Sequence, residues 1–356
     1  MQSSKKSFLQ LIRQGIGHHA YLLSCEIDWS SVKTLAALQG LSAIIIDGID
    51  SMPPAQRPPK PILLQWIGET LQLYENRFEA YRRAIAEMAG FYNRHGFKMM
   101  VLKGYGCAMN WPKPEHRPCG DIDIWLFGKQ EEADAVLAKE KGIKIDNAHH
   151  HHSVFYWREF MVENHYDFIN VHTRKSSREL EKVFKELGAD DSHYVEVHGE
   201  KVYVPSPNLH ALFLMRHMAS HFVGSNITLR QVLDWAFFVE KHTKVIDRAW
   251  LQGMLDRFHM REFYNCINAI CVEDLGFSSE IFPAFQFLPS LKERVLGDIL
   301  EPAFATEAPR GFVKRVIFKF RRWRGNAWKQ ELCYSESLWS AFWGGVGAKV
   351  LKPAGI

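Results

Sequence analysis

The chain has 356 residues, 47% of them hydrophobic, 24% charged and 13% aromatic, and a net charge of +4. That is the composition of an ordered globular protein of two or three structural units, which excludes disordered, collagen-like and coiled-coil classes. Six cysteines without a C-x-x-C spacing give neither a zinc site nor a disulfide framework, and they fit reduced thiols in the cytoplasm. No signal-peptide pattern opens the sequence. No apolar run approaches the ~20 residues that span a bilayer, and the nearest is Ser337 to Ala348. The expectation is a cytoplasmic chain, at most peripheral to a membrane.

Residues 1–95 read as a helical region. Phe8 to Leu41 has scattered helical periodicity, and the stretch Pro53 to Pro61 breaks any helix and acts as a stiff connector. From Ile62 to His95 apolar residues recur at Ile67, Leu71, Tyr74, Phe78, Tyr81, Ile85, Met88 and Tyr92, the period of one long helix, with Gly96 as its C-cap. Residues 96–204 change period and read as a small mixed α/β unit. Phe97 to Leu102 and Ile122 to Phe127 are strands, Cys107 to Trp111 and Glu131 to Lys141 short helices. Ser153 to Glu163 and His165 to Thr173 form a hairpin turning at Glu163-Asn164. Residues 205–356 return to helices. Ser206 and Pro207 open the first as N-cap and N1, and Thr228 with Gln231 forms a capping box for the second.

Asp121 and Asp123 alternate with Ile122 and Ile124, so both carboxylates share one strand face. Two carboxylates so placed, about 7 Å apart, can bridge a hard cation such as Mg²⁺, and without one they repel. Upstream, a strand leads through Lys103-Gly104-Tyr105-Gly106 into a helix start, an order that lets backbone N–H groups and a lysine meet phosphate. Met109 stands where a dinucleotide fingerprint needs glycine, and no GK[ST] follows, so neither a Rossmann nor a P-loop reading applies.

The run VLKGYGCAMNWPKPEHRPCGDIDIW resembles the LKG…R..GDID signature of the uncharacterised nucleotidyltransferase family (the NTP-transferase type 5 group), within the DNA polymerase β-like superfamily. Lys103 and Gly104 match its KG, Arg117 its arginine, Gly120 its glycine, and Asp121 and Asp123 its metal-binding pair. The later HALFLMRHMASHF…LRQVLDWAFF is similar to the family's helical part, with Arg230 and Asp234 in matching places. The resemblance implies an α+β fold: a small polymerase β-like mixed sheet between helical regions. It also implies Mg²⁺ or Mn²⁺ on Asp121 and Asp123, with a nucleoside triphosphate held by Lys103, Gly104, Tyr105, Gly106, Arg117 and Gly120. The reaction implied is transfer of a nucleotidyl group to an acceptor that the sequence does not identify. The family takes a third carboxylate two residues before a histidine. Matched to Ile169-Asn170-Val171-His172, that position holds Asn170, with Asp167 three residues away on the opposite strand face and His172 as the histidine. This opens an alternative, a catalytically impaired nucleotide-binding or scaffold protein of the same fold.

Four other features carry two readings each. The run His149 to His152 is a transition-metal site or, as the favoured reading, a solvated loop or histidines beside the phosphate pocket. His217 and His221 are spaced for metal ligation on one helix face, but Met218 stands where a zincin has glutamate, which favours interior histidines. Arg230 and Asp234, four residues apart, are favoured as a helix-stabilising pair over a wall touching nucleotide or acceptor. Lys314 to Arg324 carries six basic residues and no acid, with Val316, Ile317, Phe320, Trp323, Ala327 and Trp328 on one helix face. That segment packs as an ordinary helix with a basic outer face, or it meets a membrane surface or RNA, and the nearby Trp339, Phe342 and Trp343 favour a membrane or partner over RNA.

Overall fold

The computed structural model describes residues 3–18, 27–149, 151–172, 174–282, 285–303, 311–337 and 339–340. Cys25, His150, Thr173, Phe342, Trp343 and the side chain of Val316 lie outside them, as does most of Ser337 to Ala348. Three N-terminal helices, α1 (Ser3–Gly15), α2 (Trp29–Gln39) and α3 (Ser42–Asp50), precede the proline connector, where Pro54–Gln56 makes a 3₁₀ turn. Helices α4 (Lys60–Thr70) and α5 (Asn76–Arg94) follow, joined by a π-helical turn over Leu71–Glu75. The expected single helical face does not run unbroken. The extra residue of the π turn rotates it, so Ile67 and Leu71 are exposed while Phe78, Tyr81, Ile85, Met88 and Tyr92 are buried. Past the helix, Gly96 adopts φ 74°, as a terminating glycine should.

Six strands make one mixed sheet in the order β3-β4-β2-β1-β6-β5. They are β1 (Met100–Val101), β2 (Ile122–Trp125), β3 (His152–Trp157), β4 (Phe160–His165), β5 (Tyr194–Val197) and β6 (Glu200–Tyr203). Helix α6 (Tyr105–Ala108) follows β1, α7 (Gln130–Lys141) follows β2 and α8 (Lys175–Gly188) follows β4. The hairpin turns at Arg158-Glu159, not at Glu163-Asn164, and β4 ends at His165. Arg158 takes φ 55° there, a left-handed conformation that Gly or Asn ordinarily signals and arginine does not. Asn164, which drew the expected turn, is instead a buried strand residue whose amide donates to Asp134 Oδ1 at 2.8 Å. The hairpin β5–β6 turns at His198-Gly199 and adds an edge that periodicity alone did not suggest.

The C-terminal helices are α9 (Pro207–Gly224), α10 (Leu229–His242), α11 (Arg248–Arg257), α12 (Arg261–Ala269), α13 (Pro289–Leu300), α14 (Phe312–Gly325) and α15 (Ala327–Cys333). Pro207 starts α9, but the Ser206 side chain makes no capping hydrogen bond; the Thr228–Gln231 capping box forms, with Thr228 N donating to Gln231 Oε1 at 2.7 Å. The sheet separates two apolar cores. Ile122, Ile124, Val101 and Val162 pack with α5 on one face. On the other face Trp125 and Met100 join α8, α9, α10 and the N-terminal helices. Because side chains alternate along β2, Asp121 and Asp123 look toward the second face, and the space between it and α9–α10 is where a site can form. Among the described residues no helix is long and apolar enough to cross a membrane.

Candidate functional site

Strands β2 and β4 run parallel with Asp123 directly opposite Glu163 and Trp125 opposite His165. Neighbours at the same register share a face, so Glu163 joins Asp121 and Asp123 in one row of carboxylates. Ligand atoms of Asp123, Glu163 and His165 all lie within 4.8 Å of one another. Lys103, which follows β1, brings its Nζ to 2.6 Å from Asp123 Oδ1, and His165 Nε2 lies 3.0 Å from the same oxygen. His165 Nε2 is also 3.5 Å from Glu163 Oε2.

The charges in this row shift one another. Burial alone would raise the Asp123 carboxyl, but the Lys103 ammonium and His165 hold it well below its usual range. Burial also opposes the charge on His165, yet its bonds to Asp123 and Glu163 push it up to about 9. Glu163 is held low by His165 against its own burial. Asp121, lacking a direct cation, is raised by burial and by the Asp123 charge. Lys103 and His165 thus sit against Asp123, and His165 also against Glu163, and such a row of hard oxygen donors suits Mg²⁺ or Mn²⁺.

Local structure fixes the approach to the row. Gly104 adopts φ 57°, ψ −102°, and a Cβ there would run into the Tyr81 hydroxyl, which donates to the Asp121 carbonyl at 2.8 Å. Only glycine fits that passage. A cavity of about 360 Å³ opens beside it, lined by Lys103, Gly104, Arg117, Gly120, Asp121, Asp123, Arg230 and Asp234 among others. A second cavity of about 400 Å³ lies on the Glu163 side and shares Lys103, His217 and His221 with the first.

The remaining expected residues divide. Tyr105 and Gly106 are buried and line neither cavity; Tyr105 stacks on Phe78, and Gly106 N donates to the Lys103 carbonyl at 3.0 Å. Arg117 lines the first cavity, but its guanidinium is engaged by Asp234 through two bonds, Nε to Oδ1 at 2.7 Å and Nη2 to Oδ2 at 2.9 Å. Trp111 Nε1 adds a third donor to Asp234 at 2.8 Å. Burial opposes the Arg117 charge, and Asp234 raises its pKa nonetheless. The expected Arg230–Asp234 pair therefore does not form, because a buried two-pronged partner outcompetes a helix neighbour. Arg230 is left facing the cavity without an ion pair among the described residues, and burial lowers its pKa.

Asn170 lies beyond the end of β4, in the second cavity's lining, where its Oδ1 accepts from His172 N at 2.9 Å. Asp167 turns to Lys185 at 2.5 Å, and His172 is exposed. The residue opposite Asp123 is Glu163, and Glu163-Asn164-His165 carries the same carboxylate-x-histidine spacing that was assigned to Asn170 and His172. His151 and His152 line the second cavity, and their ligand atoms lie within 4.8 Å of His165. Burial lowers them to about 3 and about 4, so both imidazoles are neutral at pH 7. His217 stands between the cavities, and burial drops its pKa well below normal. Helix α14 leaves Ile317 and Phe320 about half exposed between its basic residues, and Arg322 Nη2 donates to the Gly224 carbonyl at 2.9 Å.

A family model described as an uncharacterised nucleotidyltransferase matches residues 25–276, well over half of the chain. The chain belongs to that family. No curated protein matches it. Among solved structures it is similar to an antigenic nucleotidyltransferase-like protein from Paracoccidioides brasiliensis, at 11% identity and a TM-score of 0.36, over 56% of this chain and 95% of that one. The family match spans the row of carboxylates, the first cavity, all of the second cavity's lining but Tyr334, and helices α2 to α12.

Proposed function

We propose that this nucleotidyltransferase-family chain is a divalent-metal-dependent enzyme that transfers a nucleotidyl group from a nucleoside triphosphate to an acceptor. The observation that carries the reading is the register of β2 on β4, which sets Glu163 beside Asp123 and Asp121. Asp121, Asp123 and Glu163 would hold Mg²⁺ or Mn²⁺, with His165 at the rim. When bound, the metal neutralises phosphate charge and stabilises the attacking and leaving oxygens. Lys103 and Arg230 supply positive charge to the triphosphate from opposite walls of the first cavity, and the Gly104 backbone lets it approach. Glu163 faces the second cavity as an ionised carboxylate, placed to orient an acceptor hydroxyl and take its proton as that oxygen joins the α-phosphorus and pyrophosphate leaves. The alternative, an impaired scaffold, rests on Asn170 as third ligand; the position of Glu163 opposite Asp123 supports the active reading instead.

Calorimetric titration of ATP, GTP, CTP and UTP with Mg²⁺ tests this. Metal-dependent binding should vanish in Asp121→Asn/Asp123→Asn, weaken on the order of 10–100-fold in Glu163→Gln, and stay within about twofold in Asn170→Ala. Failure of every nucleotide to bind the wild type sinks the reading. Loss in Asn170→Ala with retention in Glu163→Gln would return the third ligand to position 170.

A further inference from the structure

The second cavity has a wall that the reaction as described does not use. Arg216, on α9, is 2% exposed; its Nη2 donates to Ser177 Oγ at 2.9 Å and its Nε has no partner. Arg174, the residue before α8, donates from Nη2 to Gln330 Oε1 at 2.8 Å, and its Nε also has no partner. Both guanidinium groups rest on the Tyr334 ring, at 3.8 Å for Arg174 and 4.2 Å for Arg216. Neither makes an ion pair among the described residues. Glu336, the nearby acid, accepts from Ser176 N at 2.9 Å and acts on Arg174 through space, short of an ion-pair contact.

A buried guanidinium is costly without a counter-charge, by several kcal/mol before compensation. The same molecule shows the usual remedy at Arg117, which has Asp234. Here two cations converge on one tyrosine with no carboxylate in ion-pair contact with either among the described residues, and burial together with the Arg216 charge depresses Arg174 against the longer-range pull of Glu336. Each keeps an unbonded Nε, and both arginines line the cavity that Glu163 and His165 also line. The start of α8, with Ser177 in the same lining, adds its positive end.

We infer that Arg174 and Arg216 form an anion subsite that holds a phosphate group of the acceptor and thereby presents the acceptor's hydroxyl to Glu163. The inference rests on the transferase reading and specifies its acceptor: a small phosphate-bearing molecule. Two guanidinium forks with no carboxylate in contact offer more donors and charge than a single carboxylate would use, which matches a phosphate dianion. A cavity of about 400 Å³ has room for a metabolite-sized acceptor, not for a folded partner. The triphosphate would meet Arg230, which lines the first cavity, and Lys103, which both cavities share.

The probe is inorganic phosphate, titrated calorimetrically into the full-length protein in a phosphate-free, low-salt buffer. It is run on the free protein and again with the first cavity saturated by Mg²⁺ and α,β-methylene-ATP. The expected result is phosphate binding in both states, weakened at least 10-fold by Arg216→Gln and by Arg174→Gln and unchanged by the exposed control Arg83→Gln. Arg174 is only half-buried, so its variant remains informative if Arg216→Gln fails to fold. Absence of phosphate binding by the wild type overturns the subsite, and so does equal affinity in the folded arginine variants. Competition between phosphate and the nucleotide analogue, or a parallel loss of nucleotide affinity in the variants, would make the arginines part of the triphosphate site and overturn the assignment to an acceptor. If nucleotide does not bind at all but the free protein holds phosphate through these arginines, the transferase reading falls while the anion subsite stands.

Discussion

Two arginine sites line adjoining cavities that share Lys103, His217 and His221. At Arg117 the guanidinium meets both oxygens of Asp234, and Trp111 completes the carboxylate's shell. At Arg174 and Arg216 the cations lean on an aromatic ring, a serine and a glutamine, and two Nε atoms stay unbonded. A guanidinium neutralised within the fold ties elements together, here the segment before β2 to α10. One left without a counter-charge stores electrostatic free energy that an incoming anion releases. Residue type alone would have assigned both to phosphate; the partner separates them.

The contrast breaks most visibly at Asp234. Asp234→Ala leaves Arg117 buried without its carboxylate and should cost about 3–5 kcal/mol of stability, read as a lowered urea midpoint with an unchanged m-value. A loss below about 1 kcal/mol would mean that Arg117 is solvated and available to phosphate after all.

The legible part of the site is the part that is local in sequence. Asp121 and Asp123 lie two apart on one strand, Lys103 and Gly104 follow the strand beside it, and neither inference needs a partner's position. Glu163 needs one. Its place beside Asp123 depends on the turn at Arg158-Glu159, where a positive-φ arginine gives no turn signal and Asn164, five residues on, gives a false one. A turn placed at Glu163-Asn164 takes Glu163 out of the row and offers Asn170 as the third ligand instead. The E-x-H spacing at residues 163–165 is the local signal in the sequence that points to Glu163 as the proposed third carboxylate. The helices were legible where caps mark them, as at Thr228-Gln231, and the π turn at Leu71–Glu75 was not, because apolar spacing tolerates one inserted residue. The arginine wall assembles from the start of α8, the middle of α9 and the residue after α15, three segments that only tertiary packing brings together.

Behind that wall Glu181 is the converse of Arg216, a buried acid whose nearby cation, Lys185, is engaged by Asp167. Its oxygens accept from Phe168 N at 3.0 Å and Ile169 N at 3.1 Å, backbone that lines the second cavity. Burial pushes its carboxyl up to about 8 against the pull of those N–H groups, whereas the ordinary value is 4.5. The folded state therefore keeps the proton across that window while the unfolded state has lost it, so stability falls as pH rises from about 4.5 to about 8. Glu181→Gln removes the titration. Between pH 5 and pH 8 its Tm should fall less than that of the wild type, by on the order of 4 °C. Parallel Tm curves would mean that Lys185 and the backbone keep Glu181 ionised throughout. The slope is the readout, since the amide NH₂ turned toward one backbone N–H adds a cost that does not vary with pH.

The smallest expected effect lies back at the neutralised arginine. Trp111→Phe removes the third donor to Asp234 but leaves both Arg117 bonds, and it keeps a ring against Phe237. Asp234 loses one hydrogen bond of several, which costs about 1 kcal/mol beyond the lost ring area. The urea midpoint should therefore drop by a fraction of the Asp234→Ala shift, and nucleotide affinity should not move, because Arg117 stays engaged. If the two variants instead destabilise equally, the indole is what holds the carboxylate in place, and the fork alone does not neutralise Arg117. If Trp111→Phe alters nucleotide affinity with little loss of stability, the Arg117–Asp234 pair opens when ligand arrives, and the two arginine sites differ in degree instead of kind.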